Sequence, residues 1–179
     1  MRRRSFLLGS VLASVGVSLR QPVFAQGQDA AAQAYVTDTL HVGTLSLVMS
    51  RLAVRQAQNK AVKAFAGFEV SEQEALSDVL HGRERPLAMT GNEPAPTTDL
   101  ESVLTDRERQ EIAQLRRLSG QAFDQAYLNA QGNGHNQLLA IQERLLAGDA
   151  QGELRAVAIL TRTVIKEHLV HLKELRGRR

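Results

Sequence analysis

No cysteine occurs among the 179 residues. Disulfides, thiolate metal sites and thiol nucleophiles are therefore excluded. Proline is scarce, at Pro22, Pro86, Pro94 and Pro96 only, and three of the four crowd into one stretch. The rest of the chain is free of the residue that breaks helices. Beyond the first 25 residues no apolar run is long enough to cross a membrane. A glycine-rich phosphate loop and a G-x-S-x-G elbow are also missing. No apolar/polar alternation of the strand type competes with the helical spacing described below.

What is present first is an address. Arg2, Arg3 and Arg4 precede an apolar stretch from Phe6 to Leu19, and Val23-Phe24-Ala25 offers a small-x-small cleavage signal before Gln26. This pattern predicts a secretory signal peptide over residues 1–25, with the mature chain released to the periplasm as a single domain, 26–179. Arg3-Arg4-Ser5-Phe6-Leu7 has the form of a twin-arginine signal, whose partner is a translocase for folded proteins. Arg2 stands where Ser or Thr usually precedes the pair, so the general export route stays open. Four of the 22 basic residues and none of the 19 acids lie before Gln26. The mature chain is therefore close to neutral, which argues against a nucleic-acid partner.

Helical spacing dominates the remainder. Val36, Leu40, Gly43, Leu47 and Val54 mark a first helix from about Asp29 to Ala57, with Leu45, Val48 and Leu52 widening its stripe. Asn59 is placed to cap a second, carrying Val62, Phe65, Phe68, Leu76 and Val79 and stopping near Gly82. An irregular, proline-bearing loop follows from Arg83 to about Leu104. Thr105-Asp106-Arg107-Glu108 has capping-box spacing for a short helix ending near Leu118. Ser119 is placed to cap a longer one with Phe123, Tyr127, Ala130, Leu138, Ile141 and Leu145 on one face. Gly148 and Gly152 bracket a turn, and the last helix carries Leu154, Val157, Val164, Ile165, Leu169 and Leu172. Short, long and short connections between four long helices predict an all-α, ferritin-like four-helix bundle with one long crossover containing a short extra helix.

Two stretches carry a family resemblance. Gly120-Gln121-Ala122-Phe123-Asp124-Gln125-Ala126-Tyr127, with His135 and Glu167-His168-Leu169, resembles the domain-of-unknown-function 4142 family of exported bacterial proteins. Leu52-Ala53 and Asn59 to Ala66 are similar to that family's first helical pair. The resemblance runs from about Tyr35 to Leu175 and implies a ferritin-like fold, with no assigned reaction. The chain departs from the family at three places. Ser46 stands where a glutamate is frequent, Glu72-Gln73 replaces an Asp-His pair, and Thr163 replaces a proline. Two ligand positions that the family offers are thereby lost.

Carboxylate-bridged di-iron bundles need paired Glu-x-x-His motifs, and none exists here. Asp78-x-x-His81 is the nearest form, at a helix end beside Gly82. Four polar groups nonetheless fall where a core is expected: Glu72, Asp124, His135 and His168. Burying such groups is costly unless they pair, so they are expected to meet one another, water or a metal. Counting about 1.5 Å per residue from the end where the first two helices join puts Asp124 at about 8 Å and His168 at about 11 Å along the bundle. The same count puts Glu72 at about 19 Å and His135 at about 24 Å. Two layers are therefore expected, Asp124 with His168 and Glu72 with His135. Such layers serve either as hydrogen-bonded pairs fixing register or as a transition-metal site for iron, zinc, copper or manganese. His41 and the His168-x-x-His171 pair read as helix-edge histidines, the latter also spaced to hold zinc or copper. Tyr127 is expected to bury its ring and bond through its hydroxyl. No nucleophile or oxyanion donor accompanies these groups, so no catalytic residue is assigned. The leading reading is a non-enzymatic exported bundle that binds a protein or small ligand, with the loop from Arg83 to Leu104 as docking surface, or, as the family resemblance implies, acts in envelope stress. Metal binding or metal-dependent redox chemistry is the alternative.

Overall fold

The computed structural model describes residues 23–82 and 100–177, with side chains from Ala30 onward. Five helices and no strand form among the described residues, so the all-α expectation holds. They are α1 (Val23–Gln56), α2 (Lys60–Leu80), α3 (Asp106–Arg117), α4 (Gly120–Ala147) and α5 (Gly152–Gly177). The twin-arginine segment, and residues 83–99 of the proline-bearing loop, lie outside the described residues. The helix α1 starts ahead of the expected Asp29 and takes in Val23-Phe24-Ala25, the expected cleavage site. No helix among the described residues is long and apolar enough to cross a membrane.

Local chemistry sets most of the helix ends. Asn59 accepts the Ala61 amide at 2.8 Å and starts α2. Thr105 and Glu108 form the reciprocal capping box of α3. Ser119 stands at the N-cap of α4 but makes no side-chain cap bond, contrary to expectation. There the turn rests on Gly120, whose φ of 59° suits glycine and whose missing Cβ leaves room for Gln58.

Hydrogen-bonded pairs fix the arrangement. Ser46 meets Glu69 across α1 and α2. The pairs Tyr35–Gln142, Ser46–Gln131 and Ser50–Tyr127 run antiparallel along α1 and α4. His135 meets His168, and Arg176 reaches the Leu128 carbonyl, along antiparallel α4 and α5. Gly120 sits beside Gln58 at the α1–α2 turn, whereas Leu80 packs with Tyr35 and Ile141 at the other end. The end of α2 and the start of α4 therefore stand at opposite ends of the bundle. The short α3 lies against α1 and α4, where His41 Nε2 and Glu108 Oε1 pair at 2.9 Å.

The apolar core divides in two. A large cluster near the α1–α2 turn gathers Val48, Leu52, Val62, Phe65, Ile112, Phe123, Tyr127 and Leu172 among others. A smaller one at the far end holds Tyr35, Ile141, Leu145 and Ala158. Between them lies a belt of buried polar side chains: Ser46, Glu69, Gln131 and His135, with Gln142 and Thr39 beyond. The α4 stripe matches expectation at Phe123, Tyr127, Leu138, Ile141 and Leu145. On α2 the buried set is instead Val62, Phe65, Ala66, Glu69 and Gln73. Phe68 and Val79, expected inside, are exposed, as are Val54 and Val164.

Candidate metal centre

Three helices deliver one side chain each to a common point in the polar belt. Glu69 comes from α2, His135 from α4 and His168 from α5. Glu69 Oε1 lies 2.9 Å from His135 Nε2 and 2.6 Å from His168 Nδ1, and the two nitrogens are 3.1 Å apart. Glu69 is 0% and His135 1% exposed, and the His168 side chain is 13% exposed. The centre is thus closed from within and open only at His168.

Every atom facing away from that point is held. His135 Nδ1 donates to the Gln131 carbonyl at 2.8 Å. His168 Nε2 faces Glu72 Oε2 at 3.3 Å. Glu69 Oε2 accepts from Ser46 Oγ at 2.8 Å and from Gln73 Nε2 at 3.4 Å. Gly43 leaves space for Gln73, because a Cβ there would sit 2.7 Å from Gln73 Oε1. Imidazoles that ligate metals are held in this manner, the outer nitrogen on a carbonyl or a carboxylate.

Proton counting sharpens the point. A carbonyl only accepts, so His135 Nδ1 carries a proton and Nε2 presents either a lone pair or a second proton. A bare lone pair 2.9 Å from a carboxylate oxygen would be repulsive. A proton or a metal ion therefore stands between them. Ser46 Oγ in turn is 2.8 Å from both Glu69 Oε2 and Gln131 Oε1, with one proton to give. With Glu69 ionised, that proton goes to Glu69, while the Gln131 amide nitrogen donates to Ser50 Oγ at 3.3 Å and to the Ser46 carbonyl at 3.4 Å. Ser50 Oγ and the Tyr127 hydroxyl pair at 2.9 Å, so a chain of polar contacts links Tyr127, Ser50, Gln131, Ser46 and Glu69.

The electrostatics agree. Burial alone would push the Glu69 carboxyl up, but the bonds and charges of His135 and His168 outweigh it and hold it well below the usual carboxylate range. Burial pulls His168 down, yet Glu69 and then Glu72 raise it to about 9. Burial raises the Tyr127 phenol, opposed by its bond to Ser50 and reinforced by the Glu69 charge.

Of the residues expected from sequence, His135 and His168 meet, with Glu72 on the outer side of His168. Neither expected layer forms. Asp124 does not reach His168; its two carboxylate oxygens accept the Gln58 and Asn59 amides at 3.0 and 2.8 Å and fasten α4 to the α1–α2 turn. The height count failed because α5 stops beside Leu128, two turns short of that end, which lifts His168 to the level of His135. Glu69 was missed; its signal was the spacing of Val62, Phe65, Ala66, Glu69 and Gln73, one residue out of phase with the stripe through Phe68. His81 Nδ1 bonds back to the Ser77 carbonyl as part of the α2 terminus. His171 is exposed, its ring edge-on to Phe65 at 5.6 Å.

Two imidazoles and a carboxylate on three helices match the donor set of three-ligand zinc and non-haem iron centres, which leave positions open. Ligand atoms around a tetrahedral metal with bonds of about 2.05 Å stand about 3.4 Å apart. The present separations, 2.6 to 3.1 Å, need opening by less than about 1 Å to reach that spacing.

The family model for a domain of unknown function, DUF4142, matches residues 18–175. None of the curated proteins compared matches the chain. Among solved structures, a DUF305 protein from Streptomyces coelicolor superposes with a TM-score of 0.64 at 16% identity, covering 81% of this chain and 89% of its own. A DUF305 fragment from Deinococcus radiodurans gives a TM-score of 0.64 at 16% identity, covering 83% and 96%. At that identity the likeness concerns the fold alone.

Proposed function

The chain belongs to the DUF4142 family, and from that premise we propose that it is an exported, ferritin-like helical bundle that binds one divalent transition-metal ion. Binding, not catalysis, is the function. The observation that carries the reading is the convergence of Glu69 Oε1, His135 Nε2 and His168 Nδ1, with each outer atom already engaged. A centre built only to fix register needs two complementary partners, whereas here three side chains able to ligate a cation meet at one point. Iron, zinc, copper and manganese all suit imidazole with carboxylate, and the absence of cysteine disfavours ions that demand thiolates.

The arginine-led, apolar N-terminus supports cleavage near Ala25 and work in the periplasm, with the twin-arginine form favouring export of an already folded, metal-loaded chain. The antiparallel pairing of α1 with α2 and of α4 with α5, joined from opposite ends of the bundle, supports the ferritin-like connectivity.

Elemental mass spectrometry on mature protein purified from the periplasm without chelator tests the reading. About one equivalent of a transition metal is expected, and about none in Glu69→Gln. A metal-free wild-type protein that also fails to take up added Zn(II) or Co(II) would overturn it.

A further inference from the structure

One ligand of the centre lies at the surface, and its surroundings differ from those of the other two. His168 shares one face of α5 with Leu160, Val164 and His171, since residues spaced by three and four line up on a helix. Glu72 shares its face of α2 with Phe68 and Val79 on the same spacing. These two faces look toward each other, because Glu72 meets His168 at 3.3 Å and Phe65 meets both His168 and His171 at 5.3 and 5.6 Å. Phe68, Val79, Leu160 and Val164 are all exposed, Phe68 by 64%. The gap between α2 and α5 is therefore an open groove with apolar walls. Its polar groups, Glu72 and His171, stand at the one place where the centre reaches solvent. The Glu72 side chain is 41% exposed and His171 is exposed.

From this placement we propose that the metal is cargo, captured and released through the α2–α5 groove, with Glu72 and His171 as relay ligands at its mouth. The proposal rests on the metal reading above. A structural metal site is closed on all sides by its ligands. Here an incoming cation meets the Glu72 carboxylate and the His171 imidazole first and passes to His168, which already borders Glu72. It then reaches Glu69 and His135, where the bonds to Ser46, Gln73 and the Gln131 carbonyl hold the ligands in place. Departure reverses these steps.

Co(II) is the probe, since its visible spectrum reports ligand set and its uptake and loss to a chelator can be followed by stopped flow. The full mature protein is compared with Glu72→Gln, His171→Ala and the double variant. The double variant is expected to slow capture by about tenfold, the lower end of what a charged entrance contributes to association rates, and His171→Ala to slow capture and chelator-driven release alike. The Co(II) spectra of all three variants and the equilibrium affinity of His171→Ala should match those of the wild type, whereas Glu72→Gln and the double variant, which take the outer partner from His168, should bind up to about tenfold more weakly. Unchanged rates in all three variants would overturn the relay while leaving the centre intact. A changed spectrum with lost affinity would also overturn it, by making Glu72 or His171 a resident ligand. Failure of the wild type to bind Co(II) at all would instead remove the metal reading itself. Circular dichroism checks that each variant is folded, and the single variants decide the matter should the double one unfold.

Discussion

Two carboxylates are buried among the described residues, Asp124 at the end of the bundle and Glu69 at its middle, and their surroundings divide structure from chemistry. Asp124 is 7% exposed and spends both oxygens on backbone amides of residues 58 and 59. Those amides belong to the turn before α2, where free N–H groups need acceptors. Its partners have no lone pairs to offer a cation. Glu69 is fully buried and has one oxygen on a hydroxyl and an amide and the other on two imidazoles. Its partners are themselves ligands. Burial alone therefore does not identify a site; the chemical type of the partners does.

The sharpest way to break this comparison is to neutralise each carboxylate in turn. Glu69→Gln is expected to lower Zn(II) affinity by more than about a hundredfold, above the range seen for outer partners of a metal ligand. Asp124→Asn should leave affinity unchanged within about twofold on the same scale. Isothermal titration of both variants decides it. Asp124→Ala, which strips acceptors from two amides, is expected to cost about 2–3 kcal/mol in urea unfolding of the metal-free protein. Ser46→Ala, which removes a donor from Glu69 Oε2 without touching the point of convergence, should weaken Zn(II) binding by about tenfold.

Acidity and alkalinity sharpen the same contrast. In metal-free protein the folded-state value of His168 is raised from 6.5 to about 9. Its contribution is complete below 6.5 and is lost as pH rises through about 9. Glu69 is depressed from 4.5, so its contribution is complete above 4.5 and is lost as pH falls toward its folded-state value. Unfolding curves should therefore show greatest stability between these limits, and Glu69→Gln should flatten both flanks. A wild-type profile that keeps rising beyond pH 9 would contradict the arrangement. The smallest effect is expected at Gly132, where an added Cβ would fall 1.9 Å from Arg176 Nη2. Gly132→Ala must displace that guanidinium from the Leu128 carbonyl, for a loss of about 1 kcal/mol by thermal or urea unfolding.

Much of this fold could be read in advance, and the reasons for the failures are physical. Phe123, Tyr127, Leu138, Ile141 and Leu145 declare the buried face of α4 because no large apolar residue competes on its other side. On α2, Phe68 competes with Phe65, and choosing the stripe through both rotates the helix by one residue. That rotation hid Glu69 and promoted Glu72, its neighbour one turn on. His135 and His168 were legible as polar groups on apolar faces. Their meeting was not, because the level of α5 depends on where Arg176 finds a carbonyl. Asp124 was misassigned because its partners are backbone amides, which an inventory of side chains does not contain.

X-ray absorption at the zinc edge of the Zn(II)-loaded mature protein tests the central claim most directly. The account requires outer-shell scattering from two imidazoles and one carboxylate oxygen among the nearest neighbours, with the imidazole signal reduced in His135→Ala. A shell of oxygens alone, unaltered by that substitution, would place the metal elsewhere and leave Glu69, His135 and His168 as a hydrogen-bonded clasp.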